Sequence, residues 1–128
     1  MKIAGYLFLA ALAIAVASGS ASAQTVPPAG RMYVYHSLPT YPCPGLDWLL
    51  VAGENGSITG MGAWDQMRGM AKATGTIKDG QVNLTAASDD GRTATMTGTV
   101  GADGLLLLNI TTPNVKCEGV KVPFYVAP

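Results

Sequence analysis

Thr74 to Thr85 reads "TGTIKDGQVNLT" and Thr97 to Thr111 reads "TGTVGADGLLLLNIT", the same unit displaced by 23 residues. Each copy is a threonine-rich run, an Asp-Gly turn and a second run. Asp-Gly takes up the positive φ angles that a tight hairpin needs. Two copies are too few for stacked repeats, so they read as consecutive hairpins of one meander. The alternation inside them is period two. Val82, Leu84 and Ala86 alternate with Gln81, Asn83 and Thr85; Ala94, Met96, Gly98 and Val100 alternate with four threonines. Such strands have one core face and one solvated face.

Outward from this pair, "ENG" (Glu54 to Gly56) and "DDG" (Asp89 to Gly91) supply further turn signals. The runs between turns predict strands at Met32 to His36, Trp48 to Ala52, Ser57 to Ala63, Lys72 to Ile77, Gln81 to Ala87, Thr93 to Val100, Leu105 to Thr111 and Val120 to Val126. No segment sustains a 3.6-residue apolar period with caps, so little or no helix is expected in the mature chain. The predicted fold class is all-β: a single antiparallel meander of about 7–8 short strands forming a small β-sandwich or an up-and-down β-barrel. "WLLV" (Trp48 to Val51) and "LLLL" (Leu105 to Leu108) break the alternation. Strands apolar on both faces are expected to be covered on both, by a loop, the N-terminal arm, a ligand or a partner.

The chain opens with one lysine, an apolar run from Ile3 to Ala17 and small residues ending in Ala21-Ser22-Ala23, which is the layout of a cleavable export signal. That run is shorter than the ~20 residues a membrane span requires. We therefore expect residues 1–23 to be a cleaved signal peptide, 24–30 ("QTVPPAG") a flexible arm, and 31–128 a single β domain. The destination is periplasmic or secreted. An oxidising compartment makes Cys43 and Cys117, the only two cysteines, a disulfide pair. Closing a loop of that length stabilises by roughly 4–5 kcal/mol on the chain-entropy account.

Eight basic and eight acidic residues give a formal net charge of zero, and the basic ones are scattered singly. That removes the electrostatic basis for binding nucleic acid or an anionic membrane. Nothing supplies a nucleophile elbow, a phosphate loop or a clustered metal set. Asp79, Asp89, Asp90 and Asp103 sit at turn glycines, where aspartate serves the backbone. No enzyme activity and no cofactor are expected.

The remaining feature is "GMGAWDQMRGM", Gly60 to Met70. Thioethers are soft ligands that favour Cu(I), and an indole adds a cation–π contact. In residue types the stretch resembles small periplasmic copper chaperones, which build a site from methionines, a histidine and a tryptophan on a compact β-barrel. That resemblance implies Met61, Met67 and Met70, with His36, as metal ligands. The plainer reading is a loop from Asp65 to Gly69, joining the third and fourth strands without a tight hairpin and laying Met67, Met70 and Trp64 over the end of the core. The leading functional expectation is an exported, non-enzymatic binding module. Its unidentified protein partner or small apolar ligand would contact Trp48, Trp64, Met67, Met70, Leu106 and Leu108. The alternatives are a Cu(I) carrier and an inhibitor of a secreted protease acting through the N-terminal arm.

Overall fold

A computed structural model describes residues 26–65 and 68–126. The expected signal peptide and Met67 lie outside the described residues. Eight strands follow in chain order: β1 (Met32–Ser37), β2 (Leu46–Ala52), β3 (Ser57–Trp64), β4 (Gly69–Lys78), β5 (Gln81–Ala87), β6 (Thr93–Val100), β7 (Leu106–Thr111) and β8 (Lys116–Val122). Each pairs antiparallel with the next in one sheet of order β1 to β8, which curls into a nearly closed barrel. The only helical element among the described residues is a 3₁₀ turn at Glu54–Gly56.

The Asp-Gly signals act as expected. Asp79 (φ 51°) and Gly80 (φ 75°) form a two-residue turn between the paired Lys78 and Gln81, which is the twist a tight hairpin requires. Several strand ends shift by one to three residues, and two larger differences from expectation matter. The last strand is Lys116–Val122 rather than Val120 to Val126, because from Pro123 on the chain leaves β7 and bonds to β1. Cys117 therefore lies within β8, not before it. The connection after β3 is also a hairpin, with Trp64 paired to Gly69 and Ala63 to Met70. Its four-residue loop places Met61 and Met70 on strands.

Curling depends on glycines at inward positions. Gly60, Gly75 and Gly98 face Leu50, Leu84 and Leu108 across the ladder. A Cβ at any of them would collide with a backbone carbonyl oxygen of the adjacent strand, that of Leu49, Asn83 or Leu107. Strands approach this closely only where the side chain is a hydrogen, and such glycines let a sheet turn the corners of a barrel.

The interior at one end is filled by Tyr33, Ile58, Ile77, Val82, Leu84, Leu106, Leu108 and Val122, all fully buried. This end is also capped. The Arg31 guanidinium lies 4.2 Å from the Phe124 ring centroid, and Phe124 meets Tyr33 edge-on at 6.4 Å. Burial raises the Tyr33 phenol pKa, an effect Arg31 partly offsets. From Val26 onward the arm is docked rather than free: Pro27 is buried, and the Gly30 N–H donates to the Ala52 carbonyl at 2.7 Å.

Closure is made by the chain beyond β8. The Val34 N–H donates to the Pro123 carbonyl (3.1 Å) and the Tyr125 N–H to the Met32 carbonyl (2.7 Å). These bonds join β1 to the C-terminal segment at the filled end. At the opposite end the Cys43–Cys117 disulfide, with Cα atoms 5.6 Å apart, ties the β1–β2 loop to β8.

Replacing both cysteines with serine is expected to lower the free energy of urea unfolding by about 2–5 kcal/mol. A loss below about 1 kcal/mol would show the seam to be held by other contacts. Gly75→Ala is expected to cost about 1–3 kcal/mol in the same assay, since the added methyl must displace backbone.

Candidate functional site

The two ends of the barrel differ because their inward residues differ in size. Register carries one inward row from Leu50 on β2 through Gly60, Ala73 and Ala86 to Ala94 on β6. The next row toward the open end runs from Trp48 through Gly62 to Ala71. Glycine and alanine side chains cannot reach the barrel axis, so this end is hollow. The result is a cup of about 730 Å³, within the range of small-molecule sites.

The cup's apolar wall is Leu46, Trp48, Leu50, Met96 and Ile110 together with the alanines. Its mouth is framed by the loops β1–β2 (Pro39, Tyr41, Pro42, Pro44), β5–β6 (Gly91, Arg92) and β7–β8 (Pro113, Asn114, Val115), and by Asp65. Both disulfide cysteines border it. Among the described residues no charged residue is buried, so charged groups meet the cup only at its mouth.

Two glycines set the aromatic wall. Gly62 lies opposite Trp48, where a Cβ would sit 2.9 Å from the indole Nε1 and 3.1 Å from Cδ1. Gly69 lies opposite Trp64, whose indole occupies the space a Cβ there would need. Each indole is thus laid across its neighbouring strand. At the mouth the Arg92 guanidinium stands 5.3 Å from the Trp64 ring. Arg92 is itself held by Asp90, with Nε and Nη2 both 2.7 Å from Oδ2. Hydrogen bonds from Ser88 and then Arg92 hold the exposed Asp90 carboxyl down to about 2 from its ordinary 3.8.

The residues singled out from sequence divide between three places. Trp48 and Trp64 line the cup. Leu106 and Leu108 are buried in the filled end and do not border it. Met61, Met70 and His36 are on the outer surface, the two methionines 40% and 47% exposed. Met61 and Met70 are diagonal neighbours on β3 and β4, since Met61 pairs with Lys72 and Met70 with Ala63. His36 shares a cross-strand row with Met70, but Asp47 and Ala63 intervene, a separation of about 14 Å at the usual strand spacing. The His36 ring is instead bonded through Nδ1 to Asp47. The outer faces of the two apolar strands are not covered by the described chain: Leu49 and Leu107 are 41% and 42% exposed.

Sequence reasoning missed the alanines. Ala71, Ala73 and Gly75 precede Ile77 on the inward face of β4, a small-to-large gradient along one strand that signals a hollow end. The gradient acquires that meaning only when Ala86 on β5 and Ala94 on β6 fall in register with Ala73.

The fold and site together define an up-and-down barrel with a packed base and an open apolar cup. No family model, curated protein or solved structure matches this chain.

Lowering pH should loosen the mouth. With a folded pKa below the unfolded value, ionised Asp90 favours the folded arrangement above about pH 4, and that contribution is lost as pH falls toward 2. The Asp90 carboxyl carbon is expected to titrate near 2 by NMR. An ordinary midpoint near 3.8 would show the Ser88–Asp90–Arg92 cluster to be unformed in solution.

Proposed function

We propose that this protein is an exported, non-enzymatic carrier that holds a small apolar ligand inside the barrel. The observation that carries the reading is the hollow row Gly60–Ala73–Ala86–Ala94 beneath an open mouth. A core that served stability alone would fill this space, because unfilled apolar volume forfeits dispersion contacts. The distribution of side chains supports a barrel working in water. Outward positions on β4 to β6, Met70 and Ala87 apart, are lysine, threonine, glutamine and asparagine around an apolar interior, the inverse of a membrane-spanning barrel. The disulfide is compatible with export.

The chain has two tryptophans, and both line the cup, so its intrinsic fluorescence is a direct reporter. Titration with a hydrophobic probe such as 1-aminoanthracene is expected to quench that emission saturably. Ala73→Leu, which fills the lumen, is expected to weaken the probe by about tenfold or more while leaving thermal stability unchanged or raised. Saturable binding that survives Ala73→Leu at full affinity would place the ligand elsewhere and overturn the carrier reading.

A further inference from the structure

Resting on the carrier reading, we infer that the ligand class is a compact, ring-built molecule without an anionic group rather than a long-chain lipid or an anionic amphiphile. The first argument is shape. The β2 wall from Leu46 to Leu50 is about 13 Å deep at the usual rise per residue. Spread over that depth, a volume of 730 Å³ gives a mean cross-section of about 55 Å². A round section of that area is about 8 Å across, so the cup is wider than one hydrocarbon chain and shorter than a long one. A single extended hydrocarbon chain is both narrower than this and, when long, deeper, so it would leave the width empty and its end outside.

The second argument is the wall. Gly62 lets the Trp48 indole lie across β3, and the indole borders the lumen. A flat π surface in an alanine-lined space recognises another flat ring by offset stacking. Chains gain no comparable geometric match from it.

The third is electrostatic. The charged residues bordering the cup are Asp65 and Arg92, one of each sign, and Arg92 is already engaged by Asp90 and Trp64. Among the described residues no charged residue is buried deeper, and the buried Tyr33 hydroxyl belongs to the filled end and not to the cup lining. An anionic ligand would thus lose its hydration without finding an unengaged cation, and a polar group carried down the alanine wall would meet no charged side chain.

The test uses the full mature chain with its disulfide intact and three probes: phenanthrene, phenanthrene-9-carboxylate and hexadecanol. Tryptophan quenching reads the first two, and displacement of 1-aminoanthracene reads all three. Phenanthrene is expected to bind at least about tenfold more tightly than either of the others. Trp48→Leu keeps the wall apolar and leaves Trp64 as reporter; it is expected to weaken phenanthrene about tenfold, with Trp48→Phe, a smaller ring, falling between. Tighter binding of hexadecanol or the carboxylate, or equal phenanthrene affinity in Trp48→Leu, overturns this inference and leaves the carrier reading standing. Failure of every probe, 1-aminoanthracene included, to bind the folded protein removes both.

Discussion

Everything in this barrel depends on joining β1 to the end of the chain. A meander leaves its first and last strands at opposite edges of the sheet, and an inside exists only when those edges meet. The seam is made in two different ways. At the filled base it is backbone hydrogen bonding, between Val34 and Pro123 and between Tyr125 and Met32, reinforced by Phe124 packed between Arg31 and Tyr33. At the mouth it is the Cys43–Cys117 bond. The difference has a physical reason. A packed end is held by the side chains that fill it, whereas an end lined with glycine and alanine has no such filling. A covalent tie there resists opening of the mouth without occupying the lumen.

Glycine serves two separate purposes in this arrangement. At 60, 75 and 98 its missing side chain lets one strand bend hard against the next, and so curls the sheet. At 62 and 69 the same absence makes room for an indole laid across the strand. The first use makes the barrel and the second makes the wall of its cup. Both coexist with large residues toward the base, where Ile77, Val82, Leu84 and Leu108 supply the burial that a hollow end forgoes. Stability and cavity are thus divided along the barrel axis, much as a cup separates foot from bowl.

The exposed methionines show what strand parity does to residues that are close in sequence. Met61, Trp64 and Met70 are neighbours in sequence, and their chemistry invites a shared role. Alternation on β3 and the 64–69 pairing send the two methionines outward and the tryptophan inward. Parity along the strand, fixed by where the hairpin turns, separates residues that composition groups together.

Most of the strands could be read directly from the chain. Period-two alternation and Asp-Gly turns are local properties, and β5 and β6 begin and end where those signals put them. The disulfide was equally legible, since two cysteines allow one intramolecular pair. The position of β8 was less so, because Cys117 joins the strand through its register opposite Ile110 rather than through any run of strand formers. The cup was hidden for a related reason. Gly60, Ala73, Ala86 and Ala94 are unremarkable one at a time, and each belongs to a different strand. They become a cavity only when three pairings align them into one inward row. Alternation by itself determined that each strand would have an inside; the register between strands decided that part of that inside would be empty, because a void is a property of side chains summed across the sheet and not along the chain.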